Sequence, residues 1–171
     1  MPFHYSCKLL DSRVRSTYAR IFIVKGIVIV MSLLQWCDEG PATVPVEATV
    51  EAAVRTMIDK SVGAVAVIDE HGIVAGMFTE RDVLARFALS GRDPRSTPVR
   101  EMMSSIVEMA TETTTLSEAL AVMLERHYRH IPIVDERGKV LGICSIRNIL
   151  EARIDDLLAQ LDRSHERQPA D

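Results

Sequence analysis

Apolar residues at Val50, Ala53, Val54, Met57 and Ile58 recur at helical spacing and give one apolar face. The pattern then changes. Residues 64–68 form a short continuous apolar run, and Asp69-Glu70-His71-Gly72 is a hairpin turn signal. A second apolar run follows at 74–78, and a new helix is expected after Thr79. The same order returns further along. Leu116, Ala119, Leu120, Met123 and Leu124 repeat the helical face, 131–134 and 140–144 the strands, and Asp135-Glu136-Arg137-Gly138 the turn. Thr115 and Glu118 make a T-x-x-E capping box at the start of the second of these helices. Continuous apolar strands of this kind predict a sheet covered on both faces.

The two stretches superpose without a gap at a shift of 66 residues, which carries Thr49 onto Thr115, Gly76 onto Gly142 and Arg81 onto Arg147. One constant offset across a whole unit indicates duplication of a structural module. Thr97-Pro98 reads as an N-cap and first-turn proline opening a short helix through Met103. Its counterpart begins at Ser32, with Gln35 completing a capping box. The expected organisation is an extension at 1–30, a first repeat at 31–90, a linker at 91–96, a second repeat at 97–152, and a C-terminal helix and tail at 153–171. Ile154, Leu157, Leu158 and Leu161 form an amphipathic stripe that packs on the module or on a second copy, and from Arg163 onward the chain is polar and expected to fray.

Composition narrows the class. Of 171 residues, 47% are hydrophobic but only 5% aromatic, so the core is aliphatic. The net charge of -4 gives no reason to expect nucleic acid as a partner. Cys7, Cys37 and Cys144 are odd in number and scattered, which fits neither a disulfide framework nor a zinc site and suggests a reducing, cytoplasmic setting. Lys8, Arg13, Arg15, Arg20 and Lys25 face one acid, Asp11, in the first 30 residues. The apolar run from Ile21 to Trp36 is broken by Lys25, short for a membrane span, and followed by no small-x-small cleavage site. The expectation is an extra strand, a segment packed on a partner, or sequence ahead of a natural start at Met31.

Gly76-Met77-Phe78-Thr79-Glu80-Arg81-Asp82 and Gly142-Ile143-Cys144-Ser145-Ile146-Arg147-Asn148 share one pattern: Gly, two apolar residues, Thr or Ser, two variable residues, then Asp or Asn. Twice at one offset, each time after helix-strand-turn-strand, this resembles the CBS domain family, whose members come as tandem pairs (a Bateman module); the chain looks like a stand-alone example. The resemblance covers about residues 31–152. It implies an α/β (α+β) fold of two β-α-β-β-α repeats packed about a pseudo-twofold axis, clefts between them that bind AMP, ADP or ATP, and further pairing into a homodimer.

The residues alone leave two readings of T-x-x-D: a helix cap with a dipole-compatible acid, or a cradle in which the Thr and the helix start hold ribose or phosphate and the acid accepts from a ribose diol. The resemblance favours the second. It assigns the better site to Thr79 and Asp82, facing Arg129, His130, Ile131 and Pro132, with Arg129 and His130 on phosphate and the backbone near Val107 and Ile131 sandwiching the adenine. The opposite cleft pairs Ser145 and Asn148 with Gly63 and Ala64. Asn148 carries no charge and no cation is expected there, so this site is the weaker. Arg81 and Arg147 either reach phosphates or make surface ion pairs.

Catalysis has little support. His4, His71, His127, His130 and His165 sit with no Cys or acid at metal spacing, and there is no G-x-S-x-G elbow and no Walker loop. Cys144 matches Phe78 in the repeat and reads as a packed side chain. The expected function is a non-catalytic sensor that binds an adenine nucleotide, needs no cofactor or metal, and signals to a target protein. The alternative is a CBS-type interaction or structural module without ligand. Nucleic-acid binding rests only on the basic first 30 residues and is the least supported.

Overall fold

A computed structural model describes residues 21–24, 27–30, 33–37, 40–105 and 107–165. The chain divides into two units, Met1–Met31 and Ser32–Asp171. In the first, β1 (Ile21–Val24) and β2 (Ile27–Val30) pair antiparallel, with Ile21 opposite Val30. The apolar run that opens at Ile21 thus supplies two strands. His4, Cys7, Lys8, Asp11, Arg13, Arg15, Arg20, Lys25, Met31, Ser32 (hence its capping box with Gln35) and the tail from 166 lie outside the described residues. Among the described residues no helix is long and apolar enough to cross a membrane.

The second unit holds the duplicated module. Its first half runs β3 (Thr43–Pro45), α1 (Val50–Lys60), β4 (Ala64–Ile68), β5 (Val74–Thr79) and α2 (Glu80–Asp82), which continues as a π-helical turn over Val83–Phe87. The second half repeats the order with β6 (Ala110–Thr111), α3 (Leu116–Arg126), β7 (His130–Val134), β8 (Val140–Ser145) and α4 (Ile146–His165). Each sheet has three strands in sequence order, the first pair parallel across a helix and the second an antiparallel hairpin. The copies match in detail. Register shifts fall at Val67/Ile68 and Ile133/Val134, and α1 and α3 both end on a left-handed residue, Ser61 and His127.

Local chemistry explains these elements. The Thr115 hydroxyl accepts from the Glu118 N–H at 3.2 Å, and the Glu118 carboxylate accepts from the Thr115 N–H at 2.9 Å, completing the expected box. Thr49 caps α1 by accepting from the Ala52 N–H, without the reciprocal acid. In the turns, one Asp69 oxygen accepts from the His71 and Ile73 N–H groups, and one Asp135 oxygen from those of Arg137 and Lys139. Gly72 and Gly138, both at φ 80°, close the two turns. The turns then meet. Val74 N–H donates to Gly138 O and Val140 N–H to Gly72 O, two bonds exchanged by the same twofold relation. The pseudo-twofold axis therefore passes between Ile73 and Lys139, which form an antiparallel bridge.

The halves also trade their leading segments. Leu33, in the 3-10 turn Leu33–Trp36, is buried with Ala119, Met123, Ile131, Ile133, Cys144 and Ile149 of the second half. Val99 and Met102 are buried with Val50, Met57, Val65 and Phe78 of the first. Each leading turn thus completes the core of the opposite half. Three sequence expectations change here. Thr97 does not cap a helix: its hydroxyl donates to Asp93 O at 2.8 Å, its carbonyl accepts from Val50 N–H, and only Val99–Glu101 turns. The tie to Ala48–Val50 holds this stretch extended, and the Thr97 hydroxyl turns back toward Asp93. Ile58 and Leu124, expected on the buried faces of α1 and α3, are exposed. The C-terminal stripe, expected on a separate final helix, belongs to α4 itself, which runs to His165.

Candidate functional site

Both sheets present the same end toward the centre of the module. β4 begins at Ala64 opposite Thr79, where β5 ends; β7 begins at His130 opposite Ser145, where β8 ends. The Glu80 N–H donates to Gly63 O at 3.1 Å and its mate, the Ile146 N–H, to Arg129 O at 2.9 Å, so each helix start is hung from the strand beside it. The two ends approach each other at Gly63. A Cβ there would stand 3.2 Å from Glu80 Oε2 and 3.3 Å from His130 Cε1, so a side chain at this spot would push both neighbours back by a few tenths of an ångström.

Between the halves lies a cavity of about 850 Å³. Pro41, Ser61, Gly63, Glu80, Ser145 and Arg147 contribute to its wall, together with Arg129 and His130. Met57, Val62, Ala64 and Ile143 supply apolar surface. The wall thus combines two arginines, one histidine, two serine hydroxyls, one acid and an aliphatic floor, contributed by both halves. Its volume falls in the range of small-molecule sites, roughly 300–1,000 Å³.

The expected site residues are grouped differently by the fold. Gly63, Ala64 and Ser145, assigned to one cleft, share a wall with Arg129 and His130, assigned to the other. They meet there because the start of β7 stands beside Gly63, just ahead of β4. Thr79, Asp82, Val107 and Asn148 do not line this cavity. Asp82 is buried and closes a capping box with Thr79: Oδ2 accepts from Thr79 N–H at 3.0 Å and from Thr79 Oγ1 at 2.7 Å. Ser145 and Asn148 make the corresponding box, with Asn148 Oδ1 accepting from the Ser145 N–H at 2.9 Å and from its hydroxyl. Val107 packs against the first core, and Ile131 and Pro132 are fully buried. These last two side chains support the strand and do not face the cavity.

Arg147 lines the cavity and stands 3.9 Å from Glu151, whereas Arg81 donates to His127 O at 3.2 Å. Pro41 and Glu80 were not singled out in the sequence. Pro41 is the 66-residue counterpart of Val107, so the repeat itself carried the signal. Among the described residues no group of three or more His, Cys, Asp or Glu is arranged to hold a metal ion.

A family model for the CBS domain matches residues 33–89 and 99–155, one match per half. The chain belongs to the CBS domain family. A 17.7 kDa protein of Acidianus ambivalens is 39% identical over 107 residues, covering 63% of this chain and 63% of that protein. The chain thus spans under two thirds of that curated relative. A putative signal-transduction protein with CBS domains from Burkholderia ambifaria MC40-6 is 30% identical with a TM-score of 0.66, covering 72% of this chain and 92% of that one. A CBS domain protein from Pyrobaculum aerophilum, solved in complex with AMP, shares the fold at 21% identity and a TM-score of 0.63, over 68% of this chain and 88% of the other. The mixed α/β pair of repeats is thus the CBS-pair architecture.

Proposed function

We propose that this CBS pair binds an adenine nucleotide (AMP, ADP or ATP) in the cavity between its halves and acts as a regulatory, non-catalytic sensor for a target protein. The observation that carries the reading is the composition of the cavity wall. Arg129 and Arg147 offer guanidinium groups for phosphate, Ser145 stands beside them at the start of the long helix α4, and Met57, Val62 and Ile143 form an apolar bed for a base. Charge-assisted hydrogen bonds of this kind contribute roughly 1.5–3 kcal/mol each. The AMP complex of a protein with this fold supports the choice of ligand. Gly63, Ala64 and His130 complete the site in this reading. Binding across two halves favours one relative arrangement of them, and a partner that distinguishes the arrangements reads the signal.

A second reading, an interaction module, is favoured by α4. Ile154, Leu157, Leu158 and Leu161 are each 54–59% exposed on its outer half, where a second copy of the chain would pack. In this reading the module takes no ligand, and a titration separates the two.

Calorimetric titration with AMP tests the nucleotide reading. Wild type binds, and Arg129→Ala or Arg147→Ala weakens binding by about 10-fold or more, the equivalent of one charge-assisted contact. Absence of binding by AMP, ADP and ATP overturns it.

A further inference from the structure

Every strand position in the first unit carries an apolar residue. β1 is Ile21-Phe22-Ile23-Val24 and β2 is Ile27-Val28-Ile29-Val30. Successive residues of a strand belong to opposite faces of its sheet. The register therefore places Ile21, Val30, Ile23 and Val28 on one face, and Phe22, Ile29, Val24 and Ile27 on the other. An antiparallel sheet commonly keeps one polar face for water; this one has none. The apolar strands β4 and β7 of the duplicated module sit in three-stranded sheets and are buried there. β1 and β2 form a two-stranded sheet in the unit Met1–Met31. A hairpin of two strands is marginally stable at best in water, so this one calls for apolar surroundings on both faces.

The charge around it says what those surroundings are. Of the chain's 20 basic and 24 acidic residues, five basic and one acidic fall in the first 30, so the rest of the chain is acidic. Arg20 directly precedes β1 and Lys25 follows it, which sets a cation in sequence at each end of the first strand. An apolar block with basic flanks complements an anionic lipid surface, whose acyl chains receive the apolar faces and whose headgroups receive the cations. Strand length sets the depth. Four residues extend about 13 Å, under half of a hydrocarbon core of about 30 Å. Among the described residues β1 and β2 pair only with each other, and unpaired backbone groups on their outer edges are costly in hydrocarbon. The headgroup boundary, where water reaches those edges, avoids that cost. A nucleic acid would use the cations but leave both apolar faces uncovered, since these strands offer no side-chain donor to phosphate or base.

We propose that the β1–β2 hairpin docks the protein on an anionic membrane surface, lying in the interface without crossing the bilayer. The duplicated module is thereby held at the membrane. This stands apart from the nucleotide reading and does not depend on it.

The test is co-sedimentation of the full chain with vesicles of phosphatidylglycerol and phosphatidylcholine in equal parts, and with vesicles of phosphatidylcholine alone. The expected result is binding to the mixed vesicles and much weaker binding to the neutral ones. Arg20→Gln combined with Lys25→Gln should weaken binding to the mixed vesicles by about 30-fold, about fivefold for each cation near the surface. Phe22→Asp, which puts an acid on an apolar face, should abolish it. If Phe22→Asp does not fold, the glutamine pair decides, because both of its positions lie outside the strands. No binding to the mixed vesicles, equal binding to both compositions, or binding untouched by the glutamine pair overturns the proposal. Tighter binding to polyuridylic acid than to the mixed vesicles, weakened by the same pair, makes nucleic acid the partner and also overturns it.

Discussion

Gly76 and Gly142 occupy the same place in the repeat but face different neighbours. A Cβ on Gly76 would lie 2.6 Å from Ser104 O, a backbone atom held by its hydrogen bond from Met77. A Cβ on Gly142 would lie 2.9 Å from Leu34 Cδ2, the far end of a side chain that can turn aside. Gly76→Ala is therefore expected to destabilise the protein by about 1–3 kcal/mol, the usual cost of overpacking, and Gly142→Ala by clearly less. Urea denaturation midpoints of the two variants check this; equal losses contradict it. The sequence showed both glycines as the first position of a motif. It did not show why, because the reason is a segment arriving from the opposite half. Arg86 was invisible for a related reason. Its Nη1 donates to the carbonyls of Met102 and Met103, which are remote in sequence, and its counterpart Ala152 gives the repeat no pattern to reveal.

The secondary-structure elements were legible wherever their signals are local. The T-x-x-E box of α3, the Asp-x-x-Gly turns and the paired apolar runs all rest on neighbours within four residues. The α3 box also has a pH signature. The Thr115 backbone N–H, and then its hydroxyl, hold the Glu118 carboxyl below the usual carboxylate range. A depressed folded value means that the stabilisation is fully present above the ordinary Glu pKa of about 4.3 and is lost as pH falls through the lower folded value. Thr115→Ala should cost about 1 kcal/mol at neutral pH. In melts taken from about pH 6 down to pH 3, Thr115→Ala should also lose somewhat less stability than wild type, because its Glu118 carboxylate keeps the backbone N–H bond but not the hydroxyl bond. Parallel acid profiles would argue against this assignment. Where elements were misread, the cause was tertiary. Thr97-Pro98 has the letters of a helix start, but the tie of 97–99 to Ala48–Val50 holds it extended. Ile58 fits the apolar period of α1, yet it borders the cavity, and period alone does not separate a core face from a cavity wall.

At the scale of the molecule, the duplication was the most legible feature, since a gapless 66-residue offset implies two copies of one fold. Legibility stopped at the exchange of leading turns and at the convergence of the two sheet ends, which bring Arg129 and His130 to the wall shared with Gly63 and Ser145. Spacing along the chain carries no information about which strand starts stand side by side. The exposed stripe of α4 belongs to this scale too. Four large aliphatic side chains on one helix are more surface than an isolated chain usually leaves to water as one patch. A second copy is the proposed cover. Leu157→Glu should shift the protein from dimer to monomer in sedimentation velocity without lowering its AMP affinity; an unchanged sedimentation coefficient would remove α4 from the interface.

The central claim is that the nucleotide lies between the two halves on the Ser145 side. Diffraction from crystals soaked in AMP tests it most directly. The account predicts density in the cavity bounded by Gly63 and Ser145, with phosphate oxygens within hydrogen-bond distance of Arg129 or Arg147. Density beside Asp82 with the Ser145 cavity unfilled would contradict it.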